Sequence, residues 1–227
     1  NGTAEQNIVI TQNGKLDSGL DLTLHTSNGS IDVTDDTLAK RNLTVMVDNK
    51  GDVTFERNVD VTGSVVAKTG TGDITIGKTI TTGEDVTVTV GTGDIKVGED
   101  VTAKGKVKLD VTESGSVTVG ESDGTGKITA GGKVDIATKN GGTKVVTSIT
   151  STGDSVSVKA EQGSIYVGQV ETANTILAKK DIDLKVTGGT ITVNGATKTQ
   201  DGSITVEALD KEENGTAEQI GRASCRE

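Results

Sequence analysis

A glycine followed at the second and fourth positions by a branched aliphatic residue returns along this chain roughly every 21 residues. The glycines are Gly29, Gly51, Gly72, Gly93, Gly115, Gly142, Gly163 and Gly189, with a weaker copy at Gly202. Their separations are 22, 21, 21, 22, 27, 21, 26 and 13 residues. Two positions on stand Ile31, Val53, Ile74, Ile95, Val117, Ile165, Ile191 and Ile204. Four positions on stand Val33, Phe55, Ile76, Val97, Val119, Val167, Val193 and Val206. Only at Gly142 does the phrase slip, leaving Val145 and Val146 out of register. A supersecondary unit recurring at this period is the mark of a solenoid, because one unit cannot bury its apolar side without neighbours.

The rest of each unit carries the same alternation. Upstream of the glycines lie Leu22/Leu24, Leu43/Val45, Val86/Val88, Val107/Leu109, Val134/Ile136, Val156/Val158 and Ile182/Leu184. A weaker third position follows each glycine at Leu38, Val59/Val61, Ile80, Val101, Ile128 and Val170. Period-two alternation predicts half-buried strands. The expected fold is therefore all-β, a parallel β-helix of about 21 residues per coil, three short strands per coil and roughly eight or nine coils. At a spacing of about 4.8 Å per coil the rod would be on the order of 40 Å long. Gly, Asn and Asp are expected at the corners because they tolerate positive φ. The two long intervals hold GESDGTGK and ETANTILAKK, read as loops bulging from a corner.

Composition narrows the alternatives. Hydrophobic residues make up 31% and aromatics 1%, with no Trp and no Pro. An immunoglobulin-like sandwich normally packs around a Trp, whereas stacked coils need only small aliphatic residues. The net charge of −10 disfavours nucleic acid and anionic membrane as partners, since phosphate neutralisation needs clustered Lys and Arg. No apolar run is long enough for a membrane span, and the stretch that opens at Asn1 has no initiator Met and does not read as a charged-then-apolar leader.

Both ends carry oddities. NGTAEQ occurs at Asn1–Gln6 and again at Asn214–Gln219, either as a tandem repeat of period 213 or as overlapping ends of one assembly. Both readings make the chain a piece of something longer. Ile220–Glu227, IGRASCRE, resembles a translated sequencing adapter and is expected to be non-native. It holds the sole cysteine, Cys225, together with Arg222, Arg226 and Glu227, so the remainder has a net charge of −11. The domain reading is a single β-helix segment at 1–209, a polar linker or the start of the next coil at 210–219, and the tail at 220–227.

The phrase DVTVTVGTGDIKVGEDVTAKGKVKLDV, from Asp85 to Val111, resembles the shaft repeats of filamentous-haemagglutinin-type proteins, the large exoproteins of two-partner secretion. The resemblance runs from about Leu16 to Ala208. It implies a right-handed β-helix at the bacterial cell surface or outside the cell, serving as the stalk of an adhesin. It carries over no adhesion residues. The family's secretion domain has Asn-Pro motifs, which this Pro-free chain lacks.

Candidate sites are few. Gly70-Thr71-Gly72-Asp73 and Gly91-Thr92-Gly93-Asp94 resemble the calcium repeats of another solenoid class, but those recur every nine residues so that successive turns share an ion. A turn is the expected reading. No helix follows to make the same glycines a phosphate site. Asp73, Asp94 and Asp100 fall at turns in what reads as one repeat phase, a solvated corner rather than the convergent carboxylates of a glycosidase. Phe55 is expected in the core, and Tyr166 outside as the first guess for a contact residue. The Thr pairs at Thr79–Thr81, Thr87–Thr89 and Thr190–Thr192 read as differing in phase, giving no matched ice-binding array. His25 reads as a surface histidine without a second metal ligand. Asn28-Gly29-Ser30 and Asn42-Leu43-Thr44 match the glycosylation pattern, at a frequency a Thr-rich chain produces by chance.

These readings leave no catalytic, cofactor-binding or metal residues to nominate. The expected function is a structural shaft of a secreted or surface-exposed bacterial adhesin-like protein, not an enzyme. Its expected partners are surface glycans or proteins and the adjoining coils of a longer chain, with no nucleic acid and no membrane insertion. The absence of Cys from the natural part suits export followed by folding outside. The alternatives are a polysaccharide lyase or hydrolase, with its catalytic residues in the loops after Gly120 or Gly168, and an autotransporter passenger segment.

Overall fold

A computed structural model describes residues 6–11, 15–121, 124–209 and 219–225; residues 169–174 and 219–225 are described by backbone alone. The chain is a parallel β-solenoid of nine turns among these residues. Each turn lays down three strands, and each strand pairs in parallel with its counterpart one turn later. The two other faces provide the crossover that a parallel pair needs, so no helix is required.

The first face stacks Ile8–Ile10, Ile31–Val33, Val53–Phe55, Ile74–Ile76, Ile95–Val97, Val117–Val119 and Thr143–Val145, then the opening residues of Ile165–Ala178 and Ile191–Thr199. The second face stacks Leu16–Ser18, Thr37–Ala39, Val59–Val61, Ile80–Thr82, Val101–Ala103, Lys127–Ala130 and Ser148–Ser151, then the closing residues of those same two long strands. The third face is built from longer strands of six to eight residues, from Leu22–Asn28 through Val86–Thr92 to Ile204–Leu209. Two short faces and one long one give each turn an uneven triangular section.

Alternation sets the core. In Val86–Thr92, Val86, Val88 and Val90 point inward and are fully buried, while Thr87 and Thr89 face outward. Register then places like over like: Ile74 pairs with Val53 and Ile95, and Val88 with Ala67 and Leu109. A fully buried Ile or Leu at an interior rung contributes about 2–3 kcal/mol of transfer free energy. Phe55, 2% exposed, occupies the inward column of the first face as the spacing predicts.

Six of the marker glycines, Gly29, Gly51, Gly72, Gly93, Gly115 and Gly163, are dictated twice over, by a positive φ and by a close backbone approach. Gly93 has φ 138°, and a Cβ there would lie 2.2 Å from the Gly72 carbonyl oxygen one turn earlier. Only glycine permits that φ and that approach. Asn and Asp, by contrast, do not supply positive φ: among the described residues every positive-φ position is a glycine.

Several sequence expectations need correction. At Gly141-Gly142 the marker is Gly141, which donates to Gln162 as Gly115 donates to Asn140. Thr143 and Val145 then fill the inward column, so this turn keeps register and Thr substitutes for Ile. Gly202 is not a marker, because Ile204 and Val206 pair with Ile182 and Leu184 on the third face. Leu38 faces outward between the buried Thr37 and Ala39. In the later turns Ile149 and Ile176 carry the second-face column; the side chain of Val170 lies outside the described set. ETANTILAKK is not a bulging loop, since its first eight residues belong to the continuous strand Ile165–Ala178, with register shifts absorbing the extra length. GESDGTGK does contain a loop, between Val117–Val119 and Lys127–Ala130. The 210–219 segment lies outside the described residues except Gln219. Gln219–Cys225, mostly the tail read as non-native, pairs antiparallel with Ile204–Leu209.

Candidate functional site

The corner preceding the first face carries a ladder of side-chain-to-amide hydrogen bonds. At six turns the residue after the marker, Ser30, Asp52, Asp73, Asp94, Ser116 or Ser164, lends a side-chain oxygen to the backbone amide one turn later. Asp52 Oδ1 accepts from Asp73 N at 2.8 Å, Asp73 Oδ1 from Asp94 N at 2.8 Å, and Asp94 Oδ1 from Ser116 N at 2.8 Å. The ladder opens with Asn7 Oδ1 accepting from Ser30 N, and thins at Ser116 Oγ, which accepts from Gly142 N at 3.3 Å. A carboxylate accepting an amide hydrogen makes the stronger, charge-assisted kind of bond. Lys96 places its ammonium 3.2 Å from both Asp73 and Asp94. Hydrogen bonds to these two carboxylates hold the Lys96 ammonium above its ordinary titration range.

The other two corners repeat the device. Before the third face, Asp21 accepts from Asn42 N, Asn42 from Ser64 N, and Asp85 from Lys106 N. Before the second face, Asp36 accepts from Asn58 N. Asp100 accepts from Gly126 N and Lys127 N at 2.9 and 2.8 Å, which clamps the end of the GESDGTGK loop. Asp73 and Asp94 therefore share a corner, but Asp100 sits at a different one. These carboxylates are not merely solvated. They terminate backbone amides where the sheets bend, and the repeated Asp at one residue past Gly51, Gly72 and Gly93 was the signal for it.

The remaining candidates resolve one by one. His25 Nε2 lies 2.9 Å from Asp48 Oδ2 on the third face, and this bond draws the Asp48 carboxyl below its ordinary range. Among the described residues no three His, Cys, Asp or Glu gather as a metal site. Tyr166 faces outward, half-buried, with its hydroxyl accepting from Asn194 Nδ2 at 2.9 Å. Asn42 uses both ends of its amide in the corner ladder. The Thr pairs do differ in phase, yet the stack creates an array the pairs conceal. Thr81, Thr102, Thr129 and Thr150 align rung on rung along the outer side of the second face.

One groove, of about 720 Å³, lies on the third face. Its floor is Ala137, the small member of an outward column that continues as Asp110 on one side and Lys159 on the other. Lys139, Glu161 and Lys185 stand at its rim. Lys159 and Lys185 are drawn along the rod by Asp183 at 3.2 Å and Glu207 at 3.3 Å. The groove mixes both charges. Comparison with protein-family models, with curated proteins and with solved structures returned no match.

Proposed function

We propose that this chain is a shaft segment of a large secreted or surface-exposed bacterial adhesin-like protein of the filamentous-haemagglutinin type. The observation that supports this reading most strongly is how the polar groups are spent. The corner carboxylates satisfy amides of the next turn, and the outward charges pair across turns, as Lys78 with Glu99 at 2.7 Å and Arg41 with Asp21 at 3.0 Å. A uniform rod with satisfied corners transmits position and load. In this reading surface glycans or proteins are met by a tip or by the sides of the rod.

Incubating the purified chain with pectin, alginate and glycosaminoglycan tests the reading against a polysaccharide-active enzyme. A shaft gives no new reducing ends or unsaturated products. Turnover abolished by substitution of Asp110 or Glu161 in the third-face groove would overturn it.

A further inference from the structure

Four neighbouring strands of the third face, Val107–Ser114, Val134–Asn140, Val156–Gln162 and Ile182–Thr187, present one outward column that reads Asp110, Ala137, Lys159, Lys185. Ala137 is the short side chain in that column, and the groove of about 720 Å³ opens over it. The next outward column brings Lys139 beside Glu161, because Thr138 pairs with Ala160 and Asn140 with Gln162. All four strands are paired on both sides, so the groove belongs to the interior of the stack. Its volume falls in the range of ligand sites.

Lys139, Lys159 and Lys185 lie on three successive rungs. Lys159 stands directly against Lys185, an arrangement in which like charges repel. Asp183 at 3.2 Å and Glu207 at 3.3 Å answer these two lysines, whose side chains keep 51% and 42% exposure. Neither acid lines the groove. Exposed ion pairs of this kind are weak, so each ammonium can take a further carboxylate. Lys139 and Glu161 are exposed, and among the described residues neither makes an ion pair or a side-chain hydrogen bond. Asp110 is already held by Lys108 at 2.9 Å. The groove therefore offers three ammoniums and one unclaimed carboxylate.

That set selects an anion that also carries hydrogen-bond donors. The chain's net charge of −10 repels a polyphosphate at long range, so the anion has to be recognised at contact. A carboxylated sugar chain meets both demands, since its carboxylates accept from lysine and its hydroxyls donate to Glu161. The rungs are spaced by about 4.8 Å, close to the advance of one pyranose along a 1,4-linked chain. We propose that the groove over Ala137 binds a hexuronate oligosaccharide running along the rod, with successive carboxylates on Lys139, Lys159 and Lys185 and a hydroxyl on Glu161. The proposal rests on the shaft reading and names the partner that the side of the rod takes.

The experiment titrates the ¹⁵N-labelled full chain with 1,4-linked galacturonate oligomers of about four residues, one for each strand of the groove. Saturable amide shifts centred on Ala137, Lys139 and Glu161 are expected, weakening as salt is added. The methyl-esterified oligomer, neutral but equally rich in hydroxyls, should bind at least about tenfold more weakly. Ala137→Ile, a good strand former at an outward position, fills the groove, and Lys139→Gln/Lys159→Gln removes two of the cations. Each is expected to lose about tenfold or more in affinity with unchanged circular dichroism, whereas Lys144→Gln on the first face should bind as the parent chain does. Any of three results overturns the proposal: no saturable shift in the groove up to about 10 mM oligomer, equal binding of the methyl ester, or unchanged affinity in both groove variants. Product analysis of the same samples keeps the two readings apart. Cleavage of the oligomer counts against the shaft, whereas absence of binding without cleavage removes this proposal and leaves the shaft standing.

Discussion

Turns three to five and turns six to eight share one core but differ at their corners. In the first group the first-face strands recur every 21 or 22 residues, and Asp52, Asp73 and Asp94 form an unbroken ladder of 2.8 Å bonds. In the second group two of the steps lengthen to 26 residues, the ladder weakens at Gly142, and Thr143 replaces an aliphatic residue in the core column. The faces nevertheless stay in register. The extra residues fall at the corner between the first and second faces in both cases, after Gly120 and after Gly168. The stacked faces are therefore the rigid constraint, and this corner is where the chain is free to vary.

Substitutions can break that contrast in order of effect. Ile95→Ala opens a cavity at a fully buried rung and is expected to cost about 3 kcal/mol in urea unfolding. The same truncation at Ile191, in the half-covered last turn, should cost about 1 kcal/mol. Gly93→Ala drives a Cβ against the Gly72 carbonyl at a φ of 138° and is expected to cost about 2 kcal/mol or more. Gly19→Ala, with nothing within 4 Å of the added carbon, should be neutral to within about 0.5 kcal/mol.

The ladder gives a finer test. Asp73→Ala removes the acceptor for the Asp94 amide and is expected to lower stability by about 1–2 kcal/mol. Ser116→Ala, whose bond to Gly142 is 3.3 Å long, should cost less than about 0.5 kcal/mol. Thr37 and Thr143 bury hydroxyls without a partner. Thr143→Val fills the same volume without the stranded oxygen and is expected to raise stability by about 1 kcal/mol. The smallest effect is that of pH. Asp48 and Asp154 are held below their ordinary pKa of 3.8 by His25 and Lys180. Their contribution is present above that value and fades as pH falls through the lowered one. Lys96, held above its ordinary 10.5, contributes below that value and loses its contribution as pH rises through the raised one. Thermal melts should be level between these limits and soften slightly outside them, with Asp48→Asn removing part of the acid limb.

The columns were legible in the sequence because inward residues alternate and repeat. Ile31 to Ile95 announced the first face, and Leu22/Leu24 to Ile182/Leu184 the third. The errors arose where a polar residue stands in a core column or where two glycines adjoin. Thr37 and Thr143 hide in a strand pattern defined by Val and Ile, and Gly141-Gly142 offers two markers one residue apart. The strand through ETANTILAKK was misread because its residues 169–174 interrupt the alternation before Ile176 restores it. The groove over Ala137 and the threonine column from Thr81 to Thr150 were invisible for a different reason. Each is made by residues more than 20 apart in sequence, and appears only once the register is known.

That register is the most direct test of the fold on which the shaft reading depends. In a Cys225→Ser background, Thr54→Cys/Thr75→Cys places thiols on adjacent rungs, within the span of about 7 Å that a disulfide bridges. Thr54→Cys/Thr118→Cys places them three rungs apart, about 14 Å at the strand spacing. Oxidation of the dilute monomer, read by mass spectrometry, is expected to close the first pair and leave the second reduced. Failure of the first pair to close, or equal closure of both, would contradict the in-register stack.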